Sequence, residues 1–179
     1  MGLKELTLES HRAAENTLFM QAIFKQNLPQ NVWVDFTYQK WIFYGALEGC
    51  ASAVGLFGDL PDIRRSFYLY CDWVEGAKGI HSTSNKTTLD YYNYIHSLYP
   101  DSKRLMAHVY VWHMGDLYGG QSIRKLVPGN HRALEFKDPQ GLILKIREKI
   151  DDSMSDEANV AFSWAIKLLK EYDTRLEQN

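Results

Sequence analysis

Long runs with helical spacing, separated by most of the five prolines and twelve glycines, constrain this chain more than any other feature. No segment alternates apolar and polar residues between hairpin-type turns, so the expectation is all-α: a single-domain helical bundle over residues 1–179. Leu6, Ala14, Leu18, Ala22 and Phe24 recur at roughly three- and four-residue intervals and predict a first helix over 3–26, broken by Asn27, Pro29 and Asn31. Asn31 is a candidate N-cap for a second helix, whose apolar residues lie on more than one face and predict deep burial. A shorter helix is expected over 63–75, before the Gly76-Ala-Lys-Gly79 connection. Ser84 or Asn85 should start the next, which stops at Pro100. Asp101 or Ser102 opens a long pattern over 102–127. Asp138 before Pro139 starts another helix, and Ser155 with Asp156 and Glu157 starts the last.

Composition narrows the class further. Twenty Lys plus Arg against 22 Asp plus Glu give a net charge of −2, which excludes a globally basic nucleic-acid footprint and leaves only a local basic patch open. Cys50 and Cys71 cannot make a disulfide scaffold and read as small buried hydrophobes in a reducing compartment. The charged, helical N-terminal pattern lacks a secretory h-region, and no uncharged run reaches membrane-span length. A cytoplasmic protein without a membrane or nucleic-acid partner is therefore expected. Five Trp, eleven Tyr and eight Phe form a surplus that a chain this short must bury or use.

The unusual local feature is Gly115-Asp116-Leu117-Tyr118-Gly119-Gly120 inside an otherwise helical run. Each interior glycine costs about 1 kcal/mol relative to alanine, so something other than stability requires them. A glycine-mediated helix crossing and close approach to a planar ligand both fit; a phosphate loop does not, because the Walker spacing and a preceding strand are missing. His11 stands one turn before Glu15, a spacing at which the carboxylate orients the imidazole, either as an ordinary helix-surface bond or as the partner of a metal-bound histidine. His81, His96, His108, His113 and His131 lack zinc spacing, and the missing Glu-x-x-His disfavours a di-iron bundle.

Two segments carry a family resemblance. LKELTLESHRAAENTLFMQAIF, from Leu3, resembles the first helix of haem oxygenases, and AHVYVWHMGDLYGGQ, from Ala107, resembles their distal helix. The resemblance implies a haem-oxygenase-like bundle with haem b between these helices. It gives His11 as the proximal iron ligand with Glu15 as its orienting partner. Gly115 and Gly119 would lie against the porphyrin, with Gly120 at the kink. Asp116 would be the distal carboxylate that organises water and delivers protons, with Tyr110 in that water network. Lys4 and Arg147, with Lys145 and Lys149 as neighbouring substitutes, match the cations that hold the haem propionates. Tyr118 stands where the family often has Ser, and Trp112 and His113 replace residues more often Arg and Tyr. His113 is expected to pack or hydrogen-bond, the alternative being a second haem ligand.

The implied activity is oxidative opening of haem, both substrate and cofactor, with dioxygen as co-substrate. Biliverdin (the IXα isomer), carbon monoxide and ferrous iron are the implied products. Reduced ferredoxin is the implied electron donor and a bilin reductase a downstream partner. A haem carrier or sensor that keeps His11 without turnover is the alternative; Asp116 argues against it, since a carrier has little need of a proton-relay carboxylate. A thiaminase-like reading would require a catalytic cysteine, and neither Cys50 nor Cys71 stands in a segment that suggests one.

Overall fold

The computed structural model describes residues 2–178, and all regular structure among them is helical. The α-helices in chain order are α1 (Leu3–Leu6), α2 (Leu8–Glu15), α3 (Leu18–Phe24), α4 (Gln30–Ala53), α5 (Ser66–Ala77), α6 (Lys86–Leu98), α7 (Ser102–Tyr118), α8 (Gly120–Ile123), α9 (Pro139–Lys149), α10 (Ser155–Lys170) and α11 (Asp173–Leu176). No helix among the described residues is long and apolar enough to cross a membrane.

Three starts follow local chemistry as expected. The Asn85, Asp101 and Asp138 side chains accept the backbone N–H groups of Thr88, Arg104 and Gly141, capping α6, α7 and α9. Pro139 occupies the first turn of α9.

Elsewhere the boundaries differ, each for a physical reason. The expected helix over 3–26 is three pieces. Thr7 leaves helical geometry with its hydroxyl bonded to the Leu3 carbonyl at 2.9 Å, and the Thr17 hydroxyl instead caps α3. Threonine side chains offer the backbone local partners that compete with the helical ladder. Pro29, not Asn31, flanks the start of α4, its carbonyl accepting the Val32 N–H at 3.0 Å. The α5 start shifts from 63 to Ser66 because Glu48 of α4 accepts the N–H groups of Arg65 and Ser66. The expected run over 102–127 ends at Tyr118, and after Gly119 it continues only as the short α8. The last run starts at Ser155 as expected, but it divides into α10 and α11.

Helix α4 is central, packed against α5, α6 and α7. Its buried residues include Phe43, Tyr44 and Leu47, which join Leu105, Val109, Ile146 and Leu168 in the main core. A second cluster of Phe19, Ile23, Phe36 and Tyr172 closes the end formed by α3, α4 and the C-terminal segment. Helix α10 supports α2, α3 and α7 together. Unlike the other long elements, α2 buries none of its residues although it lies along α10. Such an open helix has an edge available to something other than this chain.

Where α6, α7 and α10 meet, the Glu157 carboxylate accepts bonds from Tyr94, Arg104 and His108. Burial pushes this carboxyl up, but the hydrogen bonds outweigh it and hold it down at about 2, against an ordinary 4.5. A group depressed on folding contributes stability above its unfolded pKa and loses it as pH falls toward the folded value. The urea midpoint should therefore drop between about pH 4.5 and pH 2. Glu157→Gln should flatten that limb, and an acid limb of unchanged slope in the variant would contradict the assignment.

Candidate active site

The buried half of the site is a polar line in an otherwise apolar helix. Lys40, Tyr44 and Glu48 stand four residues apart, so they share one face of α4, and that face meets α7. Lys40 Nζ donates to Asp116 Oδ1 at 2.7 Å, and the Tyr44 hydroxyl donates to Asp116 Oδ2 at 2.6 Å. The side chains of the Lys40–Asp116 pair are only 8% and 10% exposed, and Tyr44 is fully buried. The ammonium also lies 4.9 Å from the centre of the Tyr44 ring and 6.0 Å from that of Trp112. Burial, then the Asp116 charge, pushes the Tyr44 phenol well above its ordinary range, so it stays protonated and donating. Asp116 is thus held at both oxygens yet keeps lone pairs for a further donor, since a carboxylate offers about four acceptor sites.

Farther along the same line, His113 Nε2 meets Glu48 Oε1 at 3.2 Å, with the imidazole completely buried. Burial raises the Glu48 carboxyl, but the bonds from His113 and from the N–H groups of Arg65 and Ser66 prevail and keep it low. His113 is therefore a packed, hydrogen-bonded residue at the α4–α7–α5 junction, committed to Glu48 through Nε2.

Two further features are open to solvent, helix α2 and one edge of α7, and both helices pack on α10. His11 is 53% exposed, with Nδ1 3.6 Å from Glu15 Oε2 and its ring edge-on to Phe162 of α10 at 5.8 Å. Its Nε2 has no protein partner among the described residues. Gly115 of α7 and Gly119 just past its end are exposed, while the adjoining Asp116 and Gly120 are buried. A Cβ built on Gly115 would meet nothing within 4 Å. Intramolecular crowding therefore does not require glycine there. At Gly120 a Cβ would come within 2.9 Å of Leu134 Cδ2, so that side chain would have to turn aside, and within 3.8 Å of Asp116 Cβ; this glycine faces the interior. At Gly119 a Cβ would approach the Gly115 carbonyl to 3.3 Å, where the helix ends.

Arg147 donates to the Tyr118 hydroxyl at 2.6 Å, placing the α9 cation against the end of α7. Tyr110, six residues before Asp116 and so about 120° away around α7, faces Thr7, with Glu5, Arg147 and Tyr118 as its charged and polar surroundings. Burial raises its phenol. The Thr7 side chain is the hydrogen-bond partner that the structure gives Tyr110. Lys4 is exposed on α1. Lys145 and Lys149 turn instead to Asp59, the first to its carbonyl and the second to its carboxylate.

Lys40 and Tyr44 were missed from sequence. The signal was present: a lysine inside a helix apolar on several faces is almost never buried without a partner, but the identity of that partner, 76 residues away, is not local information.

This arrangement has the fold of solved haem oxygenases. The chain superposes on heme oxygenase-1 of the cyanobacterium Synechocystis in complex with heme with a TM-score of 0.83 at 22% identity, covering 98% of this chain and 92% of that one. Heme oxygenase from Leptospira interrogans gives the same TM-score at 22% identity, over 94% and 97%. The Heme oxygenase family model matches residues 1–159, and the chain belongs to the haem oxygenase family. Among curated relatives, mouse heme oxygenase 2 is 26% identical over 96% of this chain and 64% of its own length. Heme oxygenase of Guillardia theta is 29% identical over 86% of this chain and 67% of its own length.

Proposed function

We propose that this chain binds haem between α2 and α7 and opens its ring oxidatively with dioxygen, releasing biliverdin IXα, carbon monoxide and ferrous iron. The observation that carries the reading is the pairing of an available imidazole with an open glycine edge. His11 has Nδ1 next to Glu15 and Nε2 without a partner among the described residues, while α7 leaves empty space where a Gly115 side chain would be. A planar iron porphyrin needs both a nitrogen ligand and a wall it can approach closely, so the residues present fit it.

When bound, haem supplies the iron that takes up dioxygen and is itself the ring that is opened. The chain's residues do the rest. His11 Nε2 would hold the iron, and Glu15 would fix the ring orientation through Nδ1. A neutral imidazole is also a weaker electron donor than a thiolate, which gives less push toward O–O cleavage. Gly115 and Gly119 would admit the porphyrin to the α7 backbone. Asp116, immobilised by Lys40 and Tyr44, would hold a water at its remaining lone pairs and pass a proton toward bound oxygen. Arg147, fixed by Tyr118 and flanked by Tyr110, would receive a propionate, with Lys4 as a second cation. Reduced ferredoxin is the proposed electron donor and a bilin reductase the proposed consumer of the product. Two unpaired cysteines suit a cytoplasmic setting.

A single-turnover reaction under oxygen with ascorbate or reduced ferredoxin tests the activity. Loss of the haem absorption with appearance of biliverdin is expected. A haem spectrum that persists through the reaction would favour a carrier.

Gly115→Ala separates ligand from packing. Because a methyl there meets nothing in the protein, the helix should gain up to about 1 kcal/mol. Haem affinity should fall at the same time. A variant with lower melting temperature and unaltered haem binding would show that the glycine serves the fold instead.

A further inference from the structure

The Asp116 site is linked to the surface by aromatic rings, and one of them has a proton acceptor prepared for it. Trp112, four residues before Asp116 on α7, lies against Tyr44 with ring centres 6.1 Å apart. Its Nε1–H donates to the Tyr91 hydroxyl at 2.8 Å. Having accepted that bond, Tyr91 directs its own proton to His108 Nδ1 at 2.7 Å. This sets the His108 tautomer, because Nε2 must then carry the hydrogen donated to Glu157 Oε1 at 2.9 Å. Tyr91 and His108 are both completely buried. On its other side, Tyr91 stacks on Trp164 at 5.3 Å and 22°, and Trp164 contacts Tyr94 at 5.7 Å. Trp164 and Tyr94 are only partly buried, so the series of rings reaches solvent.

Hydrogen bonding within the core would account for a satisfied tyrosine. The order of the groups goes further. A buried phenol cannot lose an electron and keep its proton without creating a strongly acidic radical cation, so oxidation requires a base at hydrogen-bond distance. His108 is a neutral base at the required atom. Glu157, itself held by Arg104 and Tyr94, stands where a carboxylate would stabilise the imidazolium that forms.

We propose that Tyr91 is a redox-active tyrosine, the middle station of a Tyr44–Trp112–Tyr91–Trp164–Tyr94 chain that carries an oxidising equivalent from the Asp116 site to the surface. Resting on the haem reading above, the oxidant is the one-electron oxidant generated from bound haem and hydrogen peroxide. It takes one electron from Tyr91. The O–H bond breaks, the proton passes to His108 Nδ1, and a neutral tyrosyl radical faces an imidazolium paired with Glu157. A surface reductant such as ascorbate or a thiol then returns one electron through Tyr94 and Trp164, and His108 returns the proton. The effect is to remove misdirected oxidising equivalents from the site. It also gives the aromatic surplus a use besides packing.

Rapid-freeze electron paramagnetic resonance tests this on haem-loaded protein mixed with hydrogen peroxide. A tyrosyl radical is expected, whose high-field g-values report a hydrogen bond and whose bonded proton exchanges in D₂O. Tyr91→Phe should lower the signal several-fold. Because that variant strands the Trp112 N–H and could fold poorly, the high-field measurement on the unaltered protein stands as an independent criterion. A radical of undiminished intensity in a folded Tyr91→Phe protein, a radical without the hydrogen-bond signature, or no tyrosyl radical at all would overturn the proposal. A second arm uses the apo-protein, flash-oxidised with ruthenium tris-bipyridine and persulfate, with the same expected spectrum and the same variant. If the chain holds no haem, the functional reading fails, while this arm still decides the redox role of Tyr91.

Discussion

His11→Ala will fold like the parent protein and lose its normal haem complex. The side chain is half exposed on a helix that buries nothing, so its removal should change stability by no more than about 0.5 kcal/mol. Haem affinity should fall tenfold or more, corresponding to roughly 1.4 kcal/mol or greater, because the iron would lose the proposed nitrogen ligand while the proposed contacts of α7 and Arg147 would remain. The absorption spectrum of the complex should change, and turnover supported by reduced ferredoxin should disappear. Added imidazole supplies the sharper criterion. The vacated position opens to solvent, so the free base should restore the parental spectrum. A His11→Ala protein with parental spectrum and turnover, before any imidazole is added, would show that the iron ligand lies elsewhere.

Lys40→Met will have the largest effect on stability of the substitutions considered. The methionine keeps the volume of the buried stem, but Asp116 is left a desolvated carboxylate with Tyr44 as its one remaining side-chain partner among the described residues. Removing one partner of a buried pair costs about 3–5 kcal/mol. For a chain of this size, that corresponds to a melting temperature lower by roughly 10 °C. Turnover should also fall, since the carboxylate would no longer be held at a defined position. The double substitution Lys40→Met with Asp116→Leu separates the two consequences. An apolar pair of similar volume is often as stable as the ion pair it replaces, so stability should largely return. Turnover should not, because the carboxylate is gone. Recovery of both would reduce Asp116 to a structural role, and additive losses in the double variant would show that the two side chains do not depend on each other.

These two residues also mark what was legible in the sequence. His11 draws notice in the sequence because Glu15 is one turn away, although its proposed role comes from the resemblance, and the Gly115–Gly120 segment draws notice because three glycines in six residues contradict helix stability. Asn85, Asp101 and Asp138 were readable for the same reason: a cap is a contact across three residues. The subdivision of the first helix was hidden because Thr7 and Thr17 fit an amphipathic pattern equally well whether their hydroxyls face solvent or bond the backbone. Lys40 and Tyr44 were hidden because their contact with Asp116 exists only once α4 and α7 pack. For Tyr110 the resemblance supplies a place in the distal water network, while its hydrogen bond with Thr7, across more than a hundred residues, exists only once the N-terminal segment packs on α7. The Gly120 and Gly115 positions, five residues apart, likewise separate only in three dimensions, one filled by Leu134 and the other open.

An iron porphyrin held by His11 should have its ring opened beside an Asp116 fixed by Lys40 and Tyr44. This is tested most directly by one turnover of the haem-loaded protein under isotopically labelled dioxygen, with the evolved gas and the extracted pigment analysed together. One carbon monoxide and one biliverdin carrying label at its new terminal oxygens are expected per haem consumed. Haem recovered intact, or bleached without carbon monoxide, would contradict the account.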